Sequence, residues 1–240
     1  MNNNRYTSGD YIEKNHSYHI EDSNFKWNNF LKLLKKSNFE FNKINSIIEV
    51  GCGVGKILAE AKKTNLFEKE CKFTGYDINP GAIEIAKKNY DKIDFFNEDF
   101  INLEKNNNDL IIAADVFEHI ENSYDFLRKL KEKGNFFLFN IPLEISLLSM
   151  IRNKNIFKHS YDQVGHLHFY TKKTAILLLE SCGYKIVKHN FADNRLQELK
   201  NKKEIKKFAI YLPQYLLGLL SKNLTSNIFG GFSLVVLAAR

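Results

Sequence analysis

Proline is scarce in this chain, with three among 240 residues, and tryptophan occurs once. With so few prolines and no Ser/Gly/Pro-rich stretch, no linker between domains is marked, and residues 1–240 are expected to form one domain. The three cysteines, Cys52, Cys71 and Cys182, are odd in number and form no C-x-x-C pair. A disulfide framework is thereby excluded, and reduced, buried thiols of a cytoplasmic protein are expected. His-x-x-x-His is missing as well, so no metal ligand set is expected. No run of about 18 apolar residues occurs, which leaves no candidate membrane span. The Asn-rich N-terminus lacks the apolar core of a secretory signal.

What is present suits an α/β domain with an ample core: 44% of residues are hydrophobic and 26% are charged. The net charge of +7 invites a nucleic-acid partner, but its distribution argues against one. Lys32, Lys35, Lys36, Lys62, Lys63, Lys87 and Lys88 are scattered as on solvated helix faces. Lys200 to Lys207 is the exception, with five lysines among eight residues, and would attract a polyanion or an anionic membrane.

Strand-like runs alternate with amphipathic helical ones. Strands are expected near 46–51, 72–77, 93–96, 109–114, 135–140, 184–191 and 232–239. Helices are expected near 24–36, 55–64, 80–90, 123–132, 172–182 and 204–220. This order predicts a doubly wound, mostly parallel seven-stranded sheet with helices on both faces. Pro80 reads as a first-turn helix residue and Gly183 as a helix terminator. Ligands of such a sheet bind at the carboxyl ends of the strands, where Gly51, Asp77, Asp99 and Asp115 fall.

The most informative segment is Ile47-Ile48-Glu49-Val50-Gly51-Cys52-Gly53-Val54-Gly55. A strand turns there into a helix through a loop that can pass close to a ligand. The spacing is not the G-x-G-x-x-G of dinucleotide sites. It also falls one residue short of G-x-x-x-x-G-K-S/T, and Ile57 replaces the hydroxyl residue. A second strand, Lys72 to Tyr76, ends in Asp77, whose carboxylate can accept hydrogen bonds from a ribose diol. Then come Asn97-Glu98-Asp99-Phe100, Asp109 to Ala114 running into Asp115-Val116-Phe117-Glu118-His119-Ile120, and Gly134 to Pro142.

Together these motifs resemble class I S-adenosylmethionine-dependent methyltransferases, in the group with an Asp-x-x-Glu-His-Ile fourth motif. The likeness covers about residues 45–191 and the final strand. Gly165-His166-Leu167-His168-Phe169-Tyr170-Thr171 is also similar to this group. Tyr6-Thr7-Ser8-Gly9-x-Tyr11 resembles members that methylate surface-polysaccharide building blocks. The resemblance implies S-adenosylmethionine as cofactor and S-adenosylhomocysteine as product. It further implies that Gly51, Gly53 and Gly55 pass the methionine portion, with Glu49 supporting the loop and Cys52 as a small filler. Asp77 would bind the ribose, Ile78 would pack on the adenine, and Asp99 and Phe100 would hold its edge. Asp115 would lie beside the sulfonium and amino group, and Val116 would shape the transfer end.

A hydroxyl acceptor calls for a general base with a pKa near neutrality, and His119, His166 and His168 are the candidates. An anionic acceptor needs no base, and the histidines would then only position it. His119 follows Asp115 by one helical turn, so both would face the cofactor if that segment is helical. His166 and His168 alternate like strand neighbours, and His166 is favoured as the site member. The acceptor half is expected from an N-terminal lid over residues 1–23, with Tyr6, Tyr11, Tyr18 and His19, and from insertions at 141–170, with Tyr170, and 196–222.

Three readings follow. The first is O-methylation of a sugar, a nucleotide-linked intermediate or a phosphate- or phosphoramidate-type capsule precursor. The second is methylation of a lipid or quinone at a membrane surface, drawn from the apolar run Phe208 to Leu220 beside the lysine-rich stretch. The third is a non-catalytic module that binds S-adenosylmethionine. A small-molecule acceptor is the expected partner, without nucleic acid. Peripheral membrane contact through 200–222 and self-association are left open.

Overall fold

A computed structural model describes residues 20–104, 107–152, 156–195, 197 and 205–240. Helix α1 (Ile20–Lys36) leads into β1 (Ser46–Val50), α2 (Lys56–Lys63), β2 (Lys72–Tyr76), α3 (Pro80–Asn89) and β3 (Asp94–Phe96). The second half runs β4 (Asn108–Ala114), α4 (Ser123–Lys131), β5 (Gly134–Leu143), α5 (Leu147–Arg152), α6 (Ile156–Val164) and α7 (Lys172–Ser181). It closes with β6 (Lys185–Asp193), α8 (Ile205–Leu220), α9 (Lys222–Phe229) and β7 (Phe232–Ala239).

The seven strands lie in the order β3-β2-β1-β4-β5-β7-β6. Pairings from β3 through β5 are parallel, while β7 runs antiparallel to both β5 and β6. The chain order reverses between β1 and β4, and that is the switch point where an open α/β sheet leaves a crevice beyond its strand ends.

Alternate residues of each central strand feed opposite faces. Leu110, Ile112 and Leu138 join Trp27, Phe30, Leu58 and Ile83 on one side. Ile111, Ala113, Phe137 and Phe139 join Leu127, Leu130, Leu179 and Tyr184 on the other. Both faces are therefore covered, which explains why the central strands read as nearly continuous apolar runs. Side-chain caps start the helices at the predicted places. Asn79 accepts from Ala82 N ahead of Pro80, and Thr171 and Thr174 form a reciprocal capping box before α7.

Helices α5, α6 and α9 were not foreseen. The starts of α5 and α9 carry a local signal nonetheless. Ser146 and Ser149 exchange backbone-to-side-chain hydrogen bonds of 2.8 and 3.1 Å ahead of α5. Ser221 accepts from Leu224 N at 3.2 Å ahead of α9. Each is a serine at an N-cap, which short helices hide because their apolar periodicity spans barely two turns.

Candidate active site

The glycine turn follows β1 directly. Gly51, Gly53 and Gly55 have φ of +68°, +52° and +76°, a region that side chains with a Cβ rarely enter. At Gly55 a Cβ would also stand 2.3 Å from the Phe95 ring, and at Gly51 it would stand 2.7 Å from Val116 Cγ2. Gly53 differs, because a Cβ there would meet nothing within 4 Å among the described residues. The first and last glycines allow the turn to pack against protein, and the middle one faces open space. Cys52 is buried with its thiol pushed well above its ordinary pKa by burial, which suits a filler and no nucleophile.

Two carboxylates hold this turn. Glu49 is buried, and the Leu58 amide in the first turn of α2 interacts with its carboxylate. Glu49 Oε2 nevertheless has no hydrogen-bond partner among the described residues. Burial lifts this carboxyl to about 8 against the opposing pull of Leu58 N–H and Lys26. Asp77, just past β2, accepts Gly53 N–H at 2.7 Å through Oδ2 and Asn79 N–H at 2.8 Å through Oδ1. Burial raises its pKa despite these amides. Asp77 thus ties the middle of the glycine turn to the second strand.

Asp99 accepts Ile101 N–H at 3.1 Å and the Asn102 side-chain amide at 2.8 Å, so its carboxylate caps the short turn that follows it. Phe100 is buried with its ring 4.9 Å from Tyr76. Its side chain joins Ile48 and Val50 in the core, which leaves its backbone amide as the group that would reach an adenine edge. Ile78 is half-buried beside Asp77.

Asp115 ends β4 with φ of +55°. Its Oδ1 accepts the Asn140 side-chain amide at 2.7 Å, and its Oδ2 lies 2.6 Å from Lys26 Nζ. Burial alone would raise the Asp115 carboxyl, but the charge and hydrogen bond of Lys26, aided by Asn140, hold it below its usual value. For Lys26 burial opposes the charge, and Asp115 outweighs it, so the ammonium is retained.

The segment from Asp115 to His119 is not a continuous helical turn, so the condition for a shared face is not met. Asp115 is left-handed, and only Phe117–His119 makes a 3-10 turn, so the one-turn spacing does not set both side chains on one helix face. His119 Nδ1 instead lies 3.2 Å from Gly165 O. His119 and His166 stand edge to face with centroids 4.7 Å apart. Burial and the neighbouring His166 lower the His119 pKa to about 4. His166 Nδ1 lies 2.6 Å from Glu144 Oε2, just past β5. His168 turns elsewhere, with Nε2 2.9 Å from Ile120 O, where it ties two backbone segments together.

Glu118 is fully buried, and burial, with the charges of Asp115 and Glu144, lifts its carboxyl well above the usual range. Tyr170, expected on the acceptor side, is buried against Phe117 with centroids 5.7 Å apart. Its ring joins the core cluster that also holds Ile111 and Leu179. Tyr6, Tyr11, Tyr18 and His19 lie outside the described residues.

Sequence reasoning missed Lys26, Asn140, Glu144 and the burial of Glu118. Asn140 had a signal, as a polar residue inside the apolar run Phe136 to Ile141. Glu144, two residues past Pro142, sits where a strand of this sheet delivers functional groups. Lys26 had none, being one of 35 Lys and Arg residues.

A methyltransferase-domain family model matches residues 24–189. No curated protein matches the chain by sequence. Among solved structures, magnesium protoporphyrin IX methyltransferase of Synechocystis PCC 6803, with bound SAH, is 13% identical with a TM-score of 0.58. That match covers 90% of this chain and 83% of the other. Phosphoethanolamine N-methyltransferase 2 of Haemonchus contortus is 14% identical with a TM-score of 0.62, over 96% of this chain and 59% of the other. A sarcosine dimethylglycine methyltransferase of Galdieria sulphuraria, so described provisionally, is 13% identical with a TM-score of 0.59, over 86% and 82% of the chains. At such identities the likeness is one of fold.

Proposed function

The chain belongs to the methyltransferase-domain family and is an S-adenosylmethionine-dependent methyltransferase, and we propose that it methylates an oxygen of a small-molecule acceptor. Supporting the cofactor half are the open side of Gly53, which a Cβ would fill, and the unpartnered Glu49 Oε2, a buried polar atom that a ligand group would satisfy. Asp77 would take the ribose hydroxyls on the lone pairs its two amide partners leave. Gly53 would let the methionine portion pass, and Asp115 would face its charged end. The cofactor supplies a methyl group on a sulfonium, ready for in-line displacement.

This chain's own residues position the acceptor and manage its proton. The observation that carries an oxygen acceptor is the Glu144–His166 pair at 2.6 Å, standing against His119 beyond the end of β4. A carboxylate behind an imidazole fixes its tautomer and makes the far nitrogen more basic, as hydroxyl activation requires. Covering α1 and the buried surroundings of Asp115 limit water, so a nucleophile held close reacts with little reorganisation. Sugar hydroxyls and nucleotide-linked or phosphate-bearing capsule precursors fit this chemistry. Their support is the N-terminal resemblance at Tyr6 to Tyr11, which lies outside the described residues.

A second reading, a lipid or quinone acceptor at a membrane surface, draws on one observation. Leu212, Leu216, Leu219 and Leu220 of α8 are exposed. Among the described residues, no helix is long and apolar enough to cross a membrane.

The test is calorimetric titration with S-adenosylmethionine and S-adenosylhomocysteine on native protein and Asp77→Ala, followed by methyl-transfer assays on hydroxyl and quinone acceptors. A weakening of about 1–3 kcal/mol in the variant is expected for the loss of a charged acceptor. Equal affinity in the variant would remove Asp77 from the site, and turnover restricted to quinones would replace the first reading by the second.

A further inference from the structure

Glu118, His119 and His166 form a cluster that binding of the methyl donor does not call upon. Each offers one ligand atom, and the three atoms lie within 4.8 Å of one another. Glu118 is 0% exposed, and neither of its carboxylate oxygens has a hydrogen-bond partner among the described residues. A buried carboxyl group without a partner is costly, and buried polar groups are normally satisfied. Glu118 therefore has the standing of one half of an interaction.

The two imidazoles are oriented from behind. Glu144 Oε2 meets His166 Nδ1 at 2.6 Å, while Glu144 Oε1 accepts the Ser160 hydroxyl at 2.6 Å. His119 Nδ1 meets the Gly165 carbonyl, which can only accept, so Nδ1 carries the proton and the lone pair sits on Nε2. Carboxylates and carbonyls behind histidines are the outer partners of metal-binding imidazoles. The carboxylates of Asp115 and Glu144 also gather around Glu118, and Lys26 compensates Asp115.

We propose that Glu118, His119 and His166 bind one divalent transition-metal ion, Zn2+ or a similar borderline cation, at the acceptor end of the site. The proposal rests on the reading of this end as the acceptor side. Two imidazoles and one carboxylate make a three-ligand set that leaves an open position. Ligand atoms about 2.1 Å from a tetrahedral ion lie about 3.4 Å apart, so the cluster would contract by up to about 1.4 Å at its widest to close on one. The open position would take an acceptor oxygen, which the ion's charge would make acidic enough to release its proton to water. In this arrangement Glu144 and His166 serve the acceptor through the ion instead of taking its proton directly.

The full chain, dialysed against a chelator, is titrated with Zn2+ by calorimetry and with Co2+ by visible absorption. S-adenosylhomocysteine binding is measured on the same samples. One ion per chain is expected, with Co2+ bands of low coordination number. Glu118→Gln and His166→Ala should lose stoichiometric binding, and Glu144→Gln should weaken it about 10–100-fold, all three still binding S-adenosylhomocysteine. Native protein that binds S-adenosylhomocysteine but no stoichiometric ion overturns the metal site and leaves the methyltransferase reading standing. Equal ion uptake by native protein and the Glu118→Gln and His166→Ala variants overturns it as well.

Discussion

Lys26 Nζ lies 2.6 Å from Asp115 Oδ2, so the first described helix reaches over the sheet to the end of β4. Asp115 also accepts from Asn140, at the same level of β5. The contact therefore closes three elements around the crevice at the switch point. It gives α1 an electrostatic task beside its apolar one, which rests on Trp27, Phe30, Leu33 and Leu34.

Replacing Lys26 by Met should leave a desolvated Asp115 carboxylate without its cation. Both side chains are less than a third exposed, at 18% and 27%, so solvent replaces little of the lost attraction. A loss of about 2 kcal/mol is expected, below the range for wholly buried pairs. Urea unfolding measures it, and a double substitution with Asp115→Asn should recover part of the loss. Unchanged stability in Lys26→Met would show that the pair is solvated.

Glu49 should make stability fall as pH rises. Its folded pKa is about 8, raised by burial, while an unfolded Glu ionises near 4.3. Between those values the folded state holds a proton that the unfolded state has released. Stability from this group is full below pH ~4.3 and is lost as pH climbs through 8, at up to about 1.4 kcal/mol per pH unit. Glu49→Gln should lack this slope, and melts from pH 5 to 9 would reveal parallel curves if the prediction is wrong.

Alanine at the three turn glycines should separate packing from ligand approach. All three pay for a left-handed backbone, about 1 kcal/mol each. Gly51→Ala and Gly55→Ala add collisions with Val116 and Phe95, and so should destabilise more than Gly53→Ala. Gly53→Ala should stay folded yet bind S-adenosylhomocysteine at least tenfold more weakly. Similar affinity in Gly53→Ala and native protein would mean that the ligand does not pass this residue.

His168→Ala and His166→Ala should fail differently. His168 bridges to Ile120 O, so its loss should cost about 1 kcal/mol of stability and little turnover. His166→Ala should lower kcat with a smaller stability change. Equal kcat losses in the two variants would contradict this division.

Leu216→Glu and Leu219→Glu on α8 should barely alter stability, because both side chains are more than half exposed. Co-sedimentation with anionic vesicles decides what the face is for. Pelleting of native protein that the substitutions abolish would support the membrane-surface reading, and absence of pelleting would remove it.

Much of the fold was legible locally. The apolar runs at Ile47 to Val50 and Leu110 to Ala114, with Pro80 opening α3 and Gly183 just past α7, bound their elements because each depends on neighbours within a few residues. Helices α5 and α9 were missed because one or two turns carry too little periodicity. The shared face that a helical segment would have given Asp115 and His119 is absent for a related reason. Spacing alone cannot register a left-handed residue whose conformation is held by Asn140 and Lys26 from other elements.

By itself the sequence determined the order of strands and helices, the glycine turn and the carboxylates placed at strand ends. All of these follow from side-chain periodicity and backbone freedom along the chain. Tertiary structure alone decided which groups meet. Lys26 was chosen for Asp115 from among many lysines, Glu144 for His166, and Gly165 for His119 across 46 positions. Those pairings depend on how β1, β4 and β5 align their ends and how the 165–170 segment returns across them. Charge and hydrogen-bond partners act through space, and local pattern carries no record of which distant residue the sheet brings within hydrogen-bonding reach.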